Sequence, residues 1–186
     1  LPWSKGWAVA AALDGGDEPI IVIADADVLV PPDALSASIT AVADGAPWAM
    51  PHGLVYRLSR AATNEVYVGA LVPPPHEIGG MLLERDAVPG PPGGGIVVTT
   101  RHAYAESGGI DPRFYGWGGE DISFARALDT LVGPGVRSDA PMWHLYHLRQ
   151  ARRPGNRAAL ADSERLANRY LDAAGDPDAM RRLIRT

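Results

Sequence analysis

The sequence predicts an α/β domain with a mixed sheet. Short apolar runs, too brief for helices, alternate with longer segments of helical spacing bounded by proline and glycine. The chain has 186 residues, 46% hydrophobic and 21% charged, which suits one globular domain with a real core.

Each element can be justified in order. KGWAVAAAL, Lys5 to Leu13, is Ala-rich with no breaker after Gly6 and reads as a helix. Ile20 to Ala24 is a short β-branched run and reads as a strand buried on both faces. PPDALSASITAVADG has prolines near its start and Gly45 beyond its end, as a helix would. PWAMPHGLVYRLS holds one or two short strands, and Ala61 to Ala70 is helical. Val72 to Gly95, with PPPHEIGG and VPGPPGGG, reads as a long stretch of little regular structure, which is more often functional than accidental. GIVVTT is a strand and RHAYAESGG a short helix stopped by glycine. After Gly119, Ile122, Ala125, Leu128 and Val132 repeat at helical spacing. SDAPMWHLYHL is extended, and the tail from Asn156 to Arg185 carries two helices broken at GDPD. The expected organisation is a core over residues 1–155 and a helical tail over 156–186 packed on it.

Composition excludes several functions. The net charge of -5 argues against a dedicated nucleic-acid binder, since only the tail from Arg149 is Arg-rich. With no cysteine, disulfides and thiolate metal sites are excluded. No apolar run approaches the ~20 residues of a transmembrane helix, and no signal peptide is visible, so a cytoplasmic location is expected. The chain begins with Leu1 rather than Met and is read as a fragment.

Three constellations could carry chemistry. In Asp25-Ala26-Asp27, strand alternation would point both carboxylates the same way at a strand end, where they could hold a hard divalent ion. The bland reading is an Asx-turn with solvated carboxylates. In Trp117-Gly118-Gly119-Glu120-Asp121, the acids suit a helix N-terminus. An aromatic face beside carboxylates also suits a sugar, and one carboxylate could take a proton from an attacking hydroxyl. In His144-Leu145-Tyr146-His147, imidazoles suit Mn²⁺ or Zn²⁺. Residues three apart on a strand face opposite sides, so both histidines could share one ion only if the strand ends between them. His52, His76 and His102 read as packed or loop residues.

Taken together, WSKGWAVAAAL before a strand ending in DADV, then GGGIVVTTRHAYAESGGIDPRFYGWGGEDISFARAL and MWHLYH, resemble glycosyltransferases of the GT-A type. The resemblance is to the family-2-like and galactosyltransferase C-terminal groups, and it runs from Pro2 to about Arg153. It implies a nucleotide-diphospho-sugar transferase fold, a three-layer sandwich with a mixed central sheet. Such folds begin with a nucleotide-binding strand well before the DxD. Only 24 residues precede Asp25, so the first such strand or strands are expected to be missing.

The resemblance also implies roles. Asp27 would bind Mn²⁺ (or Mg²⁺), with His144 completing the site and His147 as the alternative; Asp25 would lie nearer the ribose. Gly94 and Gly95 would line the donor pocket, and Trp117, Gly118 and Gly119 would wall the sugar. Lys5 would lie near the nucleotide. Glu120 would bind acceptor hydroxyls and Asp121 would be the catalytic base of an inverting transfer. The implied donor is a nucleotide-diphosphate sugar, a UDP-sugar being favoured, and the acceptor an unidentified hydroxyl.

Rival functions are weighed by the same residues. DAD also resembles the first motif of haloacid-dehalogenase phosphatases, but Lys5 is the only lysine and lies upstream of it. A sugar nucleotidyltransferase needs basic residues around a triphosphate, and few precede Arg57. A non-catalytic nucleotide-sugar-binding module would have no need of Asp121.

Overall fold

The computed structural model describes residues 3–69, 83–116, 118–148 and 157–186. Strands β1 (Ile20–Ala24), β3 (Trp48–Met50), β6 (Ile96–Thr100) and β7 (Val136–Arg137) form one sheet in the order β1-β6-β3-β7. β6 runs antiparallel to both β1 and β3, with Ile20 opposite Thr100 and Ala24 opposite Ile96, while β3 and β7 are parallel. Helices α1 (Lys5–Leu13), α4 (Arg101–Glu106) and α5 (Glu120–Leu131) cover one face, packing Val9, Tyr104, Phe124 and Leu128 on Ile21, Ile23, Trp48 and Val97. On the other face α2 (Pro32–Ala43) packs Val42, Leu35 and Ile39 on Ala49 and Val98. Helix, mixed sheet and helix make the expected three layers.

β1 departs from its expected burial. Ile21 and Ile23 are buried, but Val22 between them is 42% exposed. β1 is outermost in its sheet among the described residues, and α2 lies mainly over β3 and β6. A continuous apolar run does not distinguish a central strand from an outer one.

A second mixed sheet, in the order β2-β8-β4-β5, is built from β2 (Val28–Leu29), β8 (Pro141–His144), β4 (Leu54–Leu58) and β5 (Leu83–Pro89). β8 is antiparallel to β2 and parallel to β4. Its core joins Leu58, Trp143 and Leu145 to Ala62 of α3 (Arg60–Tyr67). β5 pairs antiparallel with β4, so residues 83–89 of the Pro/Gly stretch are a strand, and only 90–95 of its described part are a loop. Residues 70–82, which include PPPHEIGG, lie outside the described residues.

α6 (Arg157–Ala173) and α7 (Pro177–Ile184) pack Leu166, Tyr170, Met180 and Leu183 against Phe114 and Ala127. Tyr170 donates to Asp111 Oδ2 at 2.9 Å, and Arg113 grips the same carboxylate while donating to the Leu183 carbonyl at 3.0 Å. Burial alone would push the Asp111 carboxyl up, but these hydrogen bonds hold it below its ordinary value. The tail is thereby tied to the loop that leads into α5. No helix among the described residues is long and apolar enough to cross a membrane.

Candidate active site

The segment Asp25–Asp27 is the link between the two sheets, and that decides where its carboxylates go. β1 ends at Ala24, a turn follows, and β2 begins at Val28. Asp25 stays with the first sheet, its amide donating to the Gly95 carbonyl at 2.8 Å, while the Asp27 carbonyl accepts from Leu145 beside the second. Alternation holds only while the backbone stays extended. The expectation that both carboxylates point the same way therefore fails: Asp25 turns to Lys5 and Asp27 to the histidines.

The first cluster gathers the ends of three elements. Lys5 Nζ donates to Asp25 Oδ1 at 2.6 Å and to Asp121 Oδ1 at 2.8 Å. α1 reaches this point because its start is pinned to the loop before α5. Ser4 Oγ donates to the Pro112 carbonyl at 3.2 Å, Gly116 N–H donates to the Trp3 carbonyl at 2.9 Å, and a Cβ at Gly6 would collide with the Ile110 carbonyl. Asp121 sits in the first turn of α5, whose N-cap Gly119 has φ 94° and offers no capping side chain. Glu120 is buried, and its Oε2 accepts from the Gly118 amide at 2.9 Å, closing the turn ahead of the helix.

Electrostatics divides these groups. Burial raises the Asp121 carboxyl from an ordinary 3.8 to about 6; the Lys5 charge opposes this, and Glu120 and Asp25 add to it. The helix N-terminus favours the ionised form of Asp121, but burial with like charges close by still leaves its pKa raised. Burial works against the Lys5 ammonium, but the two carboxylates prevail and raise it to about 12. One cation serves two carboxylates with a third close by, leaving Asp121 poised near neutral pH.

The glycine loop closes over this cluster. Gly93 and Gly95 have φ 75° and 81°, and a Cβ at Gly93 would overlap the Asp121 carbonyl, so the loop can pass this close only without a side chain. Behind it lies His52, fully buried, with Nε2 3.0 Å from the Gly94 carbonyl. Arg137 donates to the His52 carbonyl at 3.2 Å and to the Gly90 carbonyl. His52 is a packed histidine, as its sequence setting suggested, whereas Arg137 was not singled out from the sequence.

The second cluster is Asp27, His144 and His147, whose ligand atoms all lie within 4.8 Å of one another. His144 Nε2 is 3.8 Å and His147 Nε2 3.3 Å from Asp27 Oδ2. The strand does end between the histidines: β8 stops at His144, after which Tyr146 N–H donates to Thr63 Oγ1 at 2.8 Å and turns the chain. His144 Nδ1 is 2.8 Å from the Leu145 carbonyl and His147 Nδ1 3.3 Å from that of Leu148. A carbonyl only accepts, so Nδ1 carries the hydrogen in each neutral ring and both Nε2 lone pairs are left for an ion. One carboxylate and two imidazoles fit a divalent transition ion such as Mn²⁺. Trp117 lies outside the described residues.

A sequence-family model described as the N-terminal domain of galactosyltransferase matches residues 91–147, the stretch holding the glycine loop, Glu120, Asp121 and both histidines. The fold resembles a crystal structure of GalNAc-T7 with UDP, GalNAc and Mn²⁺, at a TM-score of 0.56 and 13% identity. That superposition covers 97% of this chain and 41% of the GalNAc-T7 chain, so the chain spans well under half of that protein. No curated protein sequence matches. The architecture is that of a GT-A glycosyltransferase. Within that fold, residues 91–147 are similar to the galactosyltransferase domain of that family model.

Proposed function

We propose that the chain carries the catalytic centre of a metal-dependent, inverting glycosyltransferase that moves a hexose from a nucleotide-diphosphate sugar to an acceptor hydroxyl. The observation that carries this reading is the junction at Asp25–Asp27, which has the half-buried Lys5–Asp25–Asp121 ion-pair cluster on one side and an Asp-His-His triad on the other. UDP is the favoured nucleotide and Mn²⁺ the favoured ion, with Mg²⁺ the alternative, since GalNAc-T7 was crystallised with UDP and Mn²⁺. Residues 1–155 form the catalytic unit, braced by the helical tail of 156–186.

Asp27, His144 and His147 hold the cation, which when bound offsets charge on the departing diphosphate. Asp25 and the Gly94–Gly95 backbone take the donor side, with Trp117, Gly118 and Gly119 beside the sugar. Glu120 orients the acceptor. Asp121 accepts the hydroxyl proton as the acceptor oxygen bonds to C1. The C1–O bond to phosphate breaks, and its electron pair leaves with the diphosphate. A carboxylate of pKa about 6 is ionised at neutral pH yet basic enough for this step.

The test is a screen of UDP-sugars, measuring UDP release with Mn²⁺ and with chelator, for the native protein and Asp121→Asn. Metal-dependent UDP release, lost by about 10²-fold or more in Asp121→Asn while UDP binding persists, is expected. Unchanged turnover in that variant, or no turnover of any nucleotide sugar, overturns the reading.

A further inference from the structure

We propose that Lys5 is a positioning residue for the base: by bridging Asp25 and Asp121 it fixes Oδ1 of Asp121 and leaves Oδ2 to face the acceptor hydroxyl. This rests on the transferase reading above and assigns Lys5 a task other than binding the nucleotide.

The position of Lys5 is unusual on local grounds. It lies in the first turn of α1, at the positive end of the helix dipole, where a cation is disfavoured. It is the only lysine in the chain, and its side chain is 12% exposed. Local propensity does not account for it; the two carboxylates do. The neighbours of Lys5 hold it there. Ser4 and Gly6 press α1 on the Ile110–Pro112 loop, so the ammonium has little freedom to leave.

The bridge joins the ends of β1, α1 and α5, elements that carry the donor and acceptor sides of the proposed site. Among the described residues, Asp121 Oδ1 is bonded to Lys5, and no hydrogen bond reaches Oδ2. The rotamer is thus set through one oxygen while the other stays available. The proton taken from the acceptor goes to Oδ2 and afterwards to water. Lys5 keeps its own proton throughout, since the paired carboxylates hold its ammonium far above neutral pH. The charged groups facing Asp121 are Lys5 from α1, Asp25 from the end of β1 and Glu120 beside it on α5. Lys5 alone among them favours the ionised base.

Two substitutions therefore act with opposite sign. In Lys5→Met, Asp121 loses its counter-charge and should titrate at least one pH unit higher. In Asp25→Asn, Lys5 serves Asp121 alone, and the base should titrate lower. Lys5→Arg, which retains the charge, should restore most of the native value.

The Asp121 carboxyl carbon is followed by NMR against pH in the full chain, and UDP binding with Mn²⁺ and sugar transfer are measured on the same variants. Expected for Lys5→Met are the upward shift, a kcat at pH 7 lowered tenfold or more, and a UDP Kd within threefold of native. Should Lys5→Met fail to fold, the downward shift in Asp25→Asn and near-native titration in Lys5→Arg carry the test. An unmoved Asp121 titration overturns the bridge even if transfer proceeds. A tenfold weaker UDP Kd with unmoved titration returns Lys5 to the nucleotide. Titration that shifts as expected in a protein that transfers no sugar overturns the transferase reading, and the positioning role with it, but not the ion pair.

Discussion

His147 Nε2 lies 3.3 Å from Asp27 Oδ2, on the side that His144 also occupies, although three residues separate the histidines. The geometry follows from the end of β8 at His144 and from two amide hydrogen bonds beyond it, Leu145 N–H to the Asp27 carbonyl and Tyr146 N–H to the Thr63 hydroxyl. Had the strand continued, the rings would face opposite sheet surfaces. Instead their centroids are 5.2 Å apart.

Both histidines should then contribute to one site. His144→Ala and His147→Ala are each expected to weaken Mn²⁺ binding at least about tenfold, and Asp27→Ala more, because it removes the charged ligand. Titration of Mn²⁺ by electron paramagnetic resonance reads this directly. Native affinity in His147→Ala would reduce the site to Asp27 and His144.

The pH dependence of Asp121 has a definite sign in both rate and stability. Only the ionised carboxylate can accept the acceptor proton, so kcat should fall as pH drops through about 6. For stability, the folded value is raised above the ordinary 3.8, so the contribution is fully present below that value and is lost as pH rises through about 6. Asp121→Asn imitates the protonated form. Its melting temperature relative to native should therefore climb between pH 4 and pH 7, as calorimetry at both pH values would record. A gap that stays constant would mean that Asp121 titrates at its ordinary value.

Much of the fold was legible because its signals are local. Pro31 and Pro32 open α2, Gly119 opens α5, and Ile20–Ala24 was bounded correctly from its β-branched run. β2 and β7 were not legible: two residues carry no period, and each exists only through its partner strand. The carboxylates, glycines and histidines of the site were visible as residue types, but not how they group. DAD looks like one motif in sequence, yet the turn after Asp25 divides it between two clusters. The bond from Lys5 to Asp121 spans most of the chain and has no local signature.

Gly93 should tolerate a side chain worse than a glycine of the same backbone angle elsewhere. Gly69 and Gly93 both have φ 75°, so alanine costs either position about 1–2 kcal/mol of backbone strain. Around Gly69 a Cβ meets nothing within 4 Å, whereas at Gly93 it overlaps the Asp121 carbonyl. Gly93→Ala should lose more stability in urea denaturation than Gly69→Ala, and should also reduce transfer by displacing the start of α5. Equal losses would show that the loop can move off α5 freely.

His52 should make the fold acid-sensitive in a separate window. Its ring is fully buried, Nε2–H donates to the Gly94 carbonyl, and Nδ1 has no hydrogen-bond partner among the described residues. Protonation would add a second N–H with nothing to accept it, close to the Arg137 charge. Burial first, and Arg137 second, accordingly lower the His52 pKa from 6.5 to about 4. For a depressed histidine the stabilising neutral form is fully present above the unfolded value, and its contribution is lost as pH falls from about 6.5 to about 4. The loss approaches 1.4 kcal/mol per pH unit, on the order of 3 kcal/mol in all. Asp121 works in the opposite direction over part of this range, so the native protein alone understates the effect. The difference between native and His52→Gln isolates it: the glutamine amide can still donate to Gly94 but does not titrate. Urea denaturation at pH 7 and pH 4.5 should find the variant less stable than native at the first, or equal to it, and relatively more stable at the second. Parallel curves for the two proteins would place the His52 titration outside this window and remove it as the brace that holds the glycine loop in its neutral form.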